Sequence, residues 1–265
     1  YQQKNAVFIR LVAFRKRLSI GKKKGEIDMP FKKGREAVKE LLLLDVAVLT
    51  VIMFGQAIYN SSIHYLHLLN RTTTISQTTD FSIFDNYYAL ASQMFLLFLA
   101  FLYLKVRNFD FRVWNLRATF SGFGKGLLLF LVAAICMDVY WLLTSRLVYT
   151  LPFPAMLGTI LGRFELSTVL YAILNGFYEE IYFLGIITHV KLEKLKYIIP
   201  FSLLIRFSFH TYQGIISALG LGFVLGGLFY FLYKKSKTKN LFPFFVAHAF
   251  ADIIGLGILY YILPN

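Results

Sequence analysis

Seven apolar runs of roughly sixteen to twenty-three residues recur through this 265-residue chain, and they decide most of what it can become. They lie at roughly Ala37–Tyr59, Tyr87–Val106, Phe123–Leu143, Thr168–Val190, Tyr197–Tyr212, Ile215–Tyr233 and Leu241–Ile262. A helix that crosses the hydrocarbon core of a bilayer needs about 20 such residues. The expected fold is therefore all-α, a polytopic transmembrane helical bundle of about seven spans, with six to eight as the range. The fifth and sixth runs are parted only by Gln213-Gly214, which reads as a tight helical hairpin or a re-entrant segment. With 57% hydrophobic and only 16% charged residues, and 28 phenylalanines, the composition excludes an ordinary soluble domain.

The net charge of +14 raises the question of a nucleic-acid partner. Its distribution answers no. Lys and Arg gather beside the apolar runs and alternate from side to side, 24 on one side and 3 on the other, with Arg206 inside the fifth run. Such a bias sets orientation in a membrane, and it predicts a cytoplasmic N-terminus and an outward C-terminus. Residues 1–36 form a basic leader. Within it, Ala6–Ile20 interleaves apolar residues with Arg10, Arg15, Lys16 and Arg17, as an amphipathic segment on anionic lipid would, or as a disordered basic tail would. Residues 37–166 then hold the first three spans and 167–265 the rest.

Three smaller features carry less. Cys136 is the single cysteine and sits in an apolar run, so it forms no internal disulfide and reads as a packing residue. The polar stretch Asn60–Asn86 is expected to be an outer loop, with Asn-x-Ser/Thr sequons at Asn60 and Asn70. Ser121-Gly-Phe-Gly-Lys-Gly126 looks superficially like a phosphate loop but has no strand before it, and is expected to be a flexible turn leading into the third span.

Ionisable residues inside the apolar runs are the chemical signal. Glu179 and Glu180 stand side by side in the fourth run, Arg206 and His210 in the fifth, His248 and Asp252 in the seventh. A charged residue at a helix centre costs about 2.5–3.5 kcal/mol on insertion scales, so these groups must face one another rather than lipid. His248 and Asp252 are four apart, which would let Asp252 accept a hydrogen bond from the imidazole; Arg206 and His210 share a face by the same spacing. Adjacent glutamates point about 100° apart, so one is expected to face a cavity and the other a neighbouring helix. Two acids in a dry site resist ionising together, which leaves one able to take a proton from water while imidazoles stabilise an oxyanion. Asp138 matches no such grouping and is expected to make a helix-helix polar contact; Asp45 is expected at the interface or near Lys39. His64, His67 and His189 read as interfacial.

The stretches Phe177-Tyr-Glu-Glu-Ile-Tyr-Phe-Leu-Gly185, Arg206-Phe-Ser-Phe-His-Thr-Tyr-Gln-Gly214 and His248-Ala-Phe-Ala-Asp252 resemble, in order and spacing, the three motifs of the CAAX-protease and bacteriocin-processing (CPBP, or Abi) membrane proteins. The resemblance covers about Ser167–Leu259. It implies an intramembrane endopeptidase of glutamic type, in which Glu179, Glu180, His210, His248 and Asp252 form the catalytic set and no cofactor is required. A divalent metal held by Glu180, His210 and His248 is the alternative the chemistry allows. In the first motif the family usually has arginine where this chain has Leu184, and Arg206 is expected to supply that charge from the next helix. Asp252 stands where many members have asparagine, and orienting His248 is its expected role.

The expected activity is hydrolysis of a peptide bond in a peptide precursor or a membrane-associated protein, in a bacterial plasma membrane. Partners would be the substrate, membrane lipid and a membrane or cell-envelope protein, with no nucleic acid. Leu184 keeps a second reading open: a catalytically impaired relative that acts as a membrane scaffold, a regulator or a bacteriocin self-immunity factor. A proton-coupled transporter is disfavoured, since no internal repeat is visible.

Overall fold

The computed structural model describes residues 37–75, 81–148 and 165–258. The basic leader and Arg163 lie outside the described residues. Among the described residues, seven helices follow one another: α1 (Leu43–Leu69), α2 (Ile83–Val106), α3 (Phe120–Val148), α4 (Leu166–His189), α5 (Leu195–Phe209), α6 (Ile215–Lys235) and α7 (Phe242–Ile254). Helices α1, α2, α3, α4 and α6 are long and apolar enough to cross a membrane. The chain is thus an all-α integral membrane protein.

Helices α5 and α7 are shorter than their apolar runs suggest, with 15 and 13 residues. At 1.5 Å per residue they span only about 22 and 20 Å. Each ends at a local backbone event. After α5 the chain makes a single 3₁₀ turn, Thr211–Gln213, and reverses at Gly214, whose φ of 86° favours glycine. The chain thus turns at Gln213-Gly214, as a tight hairpin and a re-entrant segment both require. Helix α7 stops at Gly255, which takes a φ of 93°.

Two other expectations are corrected. Helix α1 continues ten residues past Tyr59, so the sequon at Asn60 lies on a helix and the connection to α2 is shorter. The next residue, Ser61, is buried and accepts the backbone N–H of Tyr212 at 2.9 Å, pinning the α5–α6 turn against α1. The glycine-rich 121–126 stretch is not a flexible turn but the first two turns of α3. A Cβ on Gly126 would stand 2.6 Å from Val246, so the glycine permits α3 to press against α7.

The Lys/Arg-rich ends meet at one face of the bundle. Three single-residue parallel bridges, Val38 with Phe109, Leu41 with Val190 and Asn115 with Asn240, tie together the segments that precede α1 and follow α2, α4 and α6. The alternation in the basic residues and the up-and-down course of the helices therefore agree. At this end Asp45 accepts from Arg107 Nε and from the Tyr103 hydroxyl, both at 2.7 Å. Its partner comes from α2, not from Lys39. Asp138, on α3, accepts the backbone N–H of Ile258 at 2.9 Å.

Helix α4 is the hub. From Tyr178 to Ile187 every residue is buried. Tyr178 donates to the carbonyl of Met53 and Tyr182 pairs with Thr50, both on α1. Phe54 of α1 lies between those two rings and Phe209, with centroids 4.8–5.6 Å away. On another side, Cβ on Gly176 would lie 2.8 Å from the Phe245 carbonyl and 2.9 Å from the Ala249 amide. Only glycine lets the α4 and α7 backbones approach that closely. This contact also includes the His248 Cβ, 3.3 Å from the same point, and so sets how near His248 comes to α4.

Candidate active site

Glu179 and Glu180 end the regular α-helical part of α4, and the next six residues, Ile181–Ile186, wind as a π turn. Such widened turns recur at functional sites. Counting nine residues from Glu180 to His189 puts the acid pair about 14 Å from the basic end of the helix. Both carboxylates are buried, at 4% and 0% exposure.

Glu180 is held from two helices. Arg206 Nη2 of α5 donates to its Oε1, and His248 Nδ1 of α7 lies 2.7 Å from the same atom. An ionised carboxylate only accepts, so Nδ1 carries the proton in this bond and Nε2 is left facing the other acids. The Arg206 guanidinium, 2% exposed, also lies over the ring of Phe183 at 4.2 Å from its centroid. Leu184 lines the same crevice as Glu180 and Arg206. One guanidinium thus occupies this crevice, and it comes from α5.

Glu179 is less committed. Its Oε1 accepts from Asn175 Nδ2 at 3.2 Å, one turn earlier on α4. Its Oε2 is buried without a hydrogen-bond partner, 3.7 Å from Arg206 Nη2 and 3.8 Å from His248 Nε2. The two glutamates thus converge on the same guanidinium and imidazole from adjacent positions, although only Glu180 bonds to them.

Asp252 joins the group differently from the expectation. Its Oδ1 is 3.7 Å from His248 Nε2, too far for a hydrogen bond, although the two residues share a helix face. The hydrogen bond the imidazole does make is from its other nitrogen, Nδ1, to Glu180. Asp252 accepts from Asn175 Nδ2 at 2.8 Å, so one amide bridges Asp252 and Glu179. The Asn175 carbonyl in turn accepts from Gln93 Nε2 of α2 at 2.7 Å. Neither amide was singled out from the sequence. The signal was there, since both are polar residues in apolar runs and Asn175 precedes Glu179 by one turn.

His210 caps α5 and packs on the Phe209 ring with centroids 4.5 Å apart. It lies within electrostatic reach of Arg206 and His248, and its Nδ1 is buried with no hydrogen-bond partner. The structure therefore gathers Glu179, Glu180, Arg206, His248 and Asp252 closely, while among the described residues no hydrogen bond or ion pair joins His210 to them. Asp138 and Asp45 belong to other contacts, as do His67, bonded to Thr72, and His189, bonded to the Gly185 carbonyl.

Glu180 Oε1 is taken by Arg206 and His248, so a cation bound through that oxygen would have to displace the guanidinium, whereas Glu180 Oε2, Glu179 Oε2 and His210 Nδ1 are buried with no hydrogen-bond partner.

Residues 161–254 match the family described as Type II CAAX prenyl endopeptidase Rce1-like, of the CPBP kind. The match spans the segment that carries all of these side chains except those of α1–α3. It supports an intramembrane protease of the CPBP kind. No curated protein and no solved structure matches the chain.

Proposed function

We propose that the protein is an intramembrane endopeptidase that hydrolyses a peptide bond by glutamate-activated water, with Glu179 as the base. The carrying observation is the contrast within the pair: Glu180 is bonded to Arg206 and His248, whereas Glu179 Oε2 is buried beside both and bonded to neither. Water placed on Oε2 would lose a proton to Glu179 while its oxygen attacks the scissile carbonyl carbon. Glu180 serves as the neutral partner of this chemistry, its charge balanced by Arg206 so that the second acid does not oppose ionisation of the first. The carbonyl oxygen becomes an oxyanion, for which His210 Nδ1 is an unused donor. Collapse of the tetrahedral intermediate breaks the C–N bond. The amine leaves with a proton delivered from the Glu179–His248 Nε2 side of the site.

The substrate class that suits this site is a peptide precursor or a membrane-associated protein, reached within a bacterial plasma membrane whose cytoplasmic face carries the Lys/Arg-rich end. Purified protein would be presented with prenylated and unmodified peptides. Glu179→Gln should lower cleavage by about 10²-fold or more with an unchanged melting temperature. Cleavage at the wild-type rate by Glu179→Gln would end the proposal. Leu184, in place of the family's usual arginine, favours one other reading, a non-cleaving scaffold or immunity factor. Under it, acid variants and wild type would give the same phenotype.

A further inference from the structure

A second cavity, of about 330 Å³, lies at the Lys/Arg-rich end of the bundle between the α2–α3 connection and the α6–α7 connection. That volume falls within the range of small-molecule sites, about 300–1,000 Å³. Its walls are clasped together. Arg117 N donates to Asn240 Oδ1 at 3.0 Å and Asn240 Nδ2 returns to the Arg117 carbonyl at 2.9 Å. Leu241 N reaches the Asn115 carbonyl at 2.9 Å, and Asn115 Nδ2 the Thr238 carbonyl at 2.5 Å. The clasp uses up the polar backbone and amide groups of the walls.

What remains facing the cavity is a set of donors. Arg117, Lys125, Thr119 and Ser121 line it, and no carboxylate does. Among the described residues neither the Arg117 guanidinium nor the Lys125 ammonium has an ion-pair partner, in contrast to Arg107 and Arg112, which pair with Asp45 and Asp110. The Thr119 oxygen accepts the Gly122 amide at 3.0 Å, which leaves its hydroxyl proton to donate outward. Beside these groups the surface turns apolar. Phe120, between two lining residues, is 99% exposed, Leu116 47% and Phe123 43%.

We infer that this cavity binds the phosphate of an anionic membrane lipid, with Arg117 and Lys125 on the phosphate oxygens and Phe120 and Phe123 against the acyl chains. Arginine matches phosphate by paired N–H donors, and lysine adds a compact charge. Basic pockets at the membrane edge bind headgroups in this manner. Free phosphate shares the headgroup chemistry, but the exposed phenylalanines give the lipid an added contact that a soluble ion lacks. Pro243, which also lines the cavity, begins the helix that carries His248.

The test uses the full purified chain in mixed micelles, titrated with phosphatidylglycerol or phosphatidylcholine of equal chain length and followed by native mass spectrometry. Arg117→Gln with Lys125→Gln should weaken phosphatidylglycerol binding roughly tenfold or more and leave phosphatidylcholine binding unchanged. A control double variant, Lys234→Gln with Lys237→Gln, removes equal charge from the same end outside the cavity and should change binding less than about twofold. Equal losses in both double variants would overturn the site, because general surface charge would then account for the binding. Inorganic phosphate that binds as tightly as the lipid would overturn the lipid assignment.

Discussion

Arg206 of α5 donates to Glu180 of α4 although Leu184, one turn from Glu180, lies on the wall of the same crevice. The charge that the acid pair needs comes from another helix. Breaking a buried ion pair by removing one partner costs about 3–5 kcal/mol, because the remaining charge is left uncompensated. Arg206→Ala should therefore lower the melting temperature and abolish cleavage together. An Arg206→Ala protein as active as wild type would show that Glu180 needs no cation.

The crevice accepts one guanidinium. Leu184→Arg alone places a second cation beside Arg206 and should lower both stability and activity. Combined with Arg206→Leu, the same substitution moves the charge back onto α4 and should recover part of what each single variant loses. Melting temperatures and cleavage rates of wild type, Leu184→Arg, Arg206→Leu and the double variant form a double-mutant cycle. Strict additivity would mean that positions 184 and 206 do not share a role.

The Gln93–Asn175 pair makes a quieter claim. Asn175→Ala removes the amide shared by Glu179 and Asp252, two acceptors that then face each other without a donor between them. Leaving buried acceptors unpaired costs about 1–3 kcal/mol. The variant should show a lower kcat with little change in KM, and Gln93→Ala a smaller version of the same effect. A change confined to KM would place the amide in substrate binding instead.

Gly176 governs how closely α4 meets α7. An alanine Cβ there would lie under 3 Å from two backbone atoms, so the helices must part. Overpacking of this kind costs about 1–3 kcal/mol. Because the His248 Cβ itself lies 3.3 Å from that position, activity should fall further than stability does. The measurement is cleavage at a temperature where the Gly176→Ala protein remains folded; full activity there would uncouple the helix spacing from the site.

The guanidinium on Glu180 also predicts the response to metal removal. Cleavage should persist after chelator treatment, and elemental analysis of active protein should find less than one equivalent of zinc. Loss of activity on chelation, restored by zinc alone, would reverse this.

Much of the site was legible in the sequence because charge in an apolar run is conspicuous. Glu179, Glu180, Arg206 and His248 could face nothing but one another, and the structure brings them together. What spacing could not show was distance. His248 and Asp252 stand four apart, yet Nε2 and Oδ1 are 3.7 Å apart while Nδ1, on the other side of the ring, bonds Glu180 of α4, an outcome that depends on how closely the two backbones approach at Gly176. Asn175 and Gln93 stayed hidden since an uncharged amide disturbs an apolar run far less than a carboxylate. The glycines at 122, 124 and 126 were read as a turn because glycine is common in turns; in the bundle Gly126 instead lets α3 press against Val246 and the Pro243 carbonyl of α7. For Asp45 the basic end was foreseen but not the partners, since Tyr103 and Arg107 are distant in sequence.

The π turn at Ile181–Ile186 has a consequence for how such a chain can change. A π turn holds one residue more than the α-helix it interrupts. Deleting a single residue within it would restore regular winding in the same single turn, so Glu179 and Glu180 before it and Ile187 to Val190 after it would keep their facings. Val190 is bridged to Leu41, and that fastening of the basic end would survive such a deletion. The same deletion from the regular part of α4 would instead rotate the acid pair by about 100° against its neighbours, so length change on this helix is tolerated only at the widened turn.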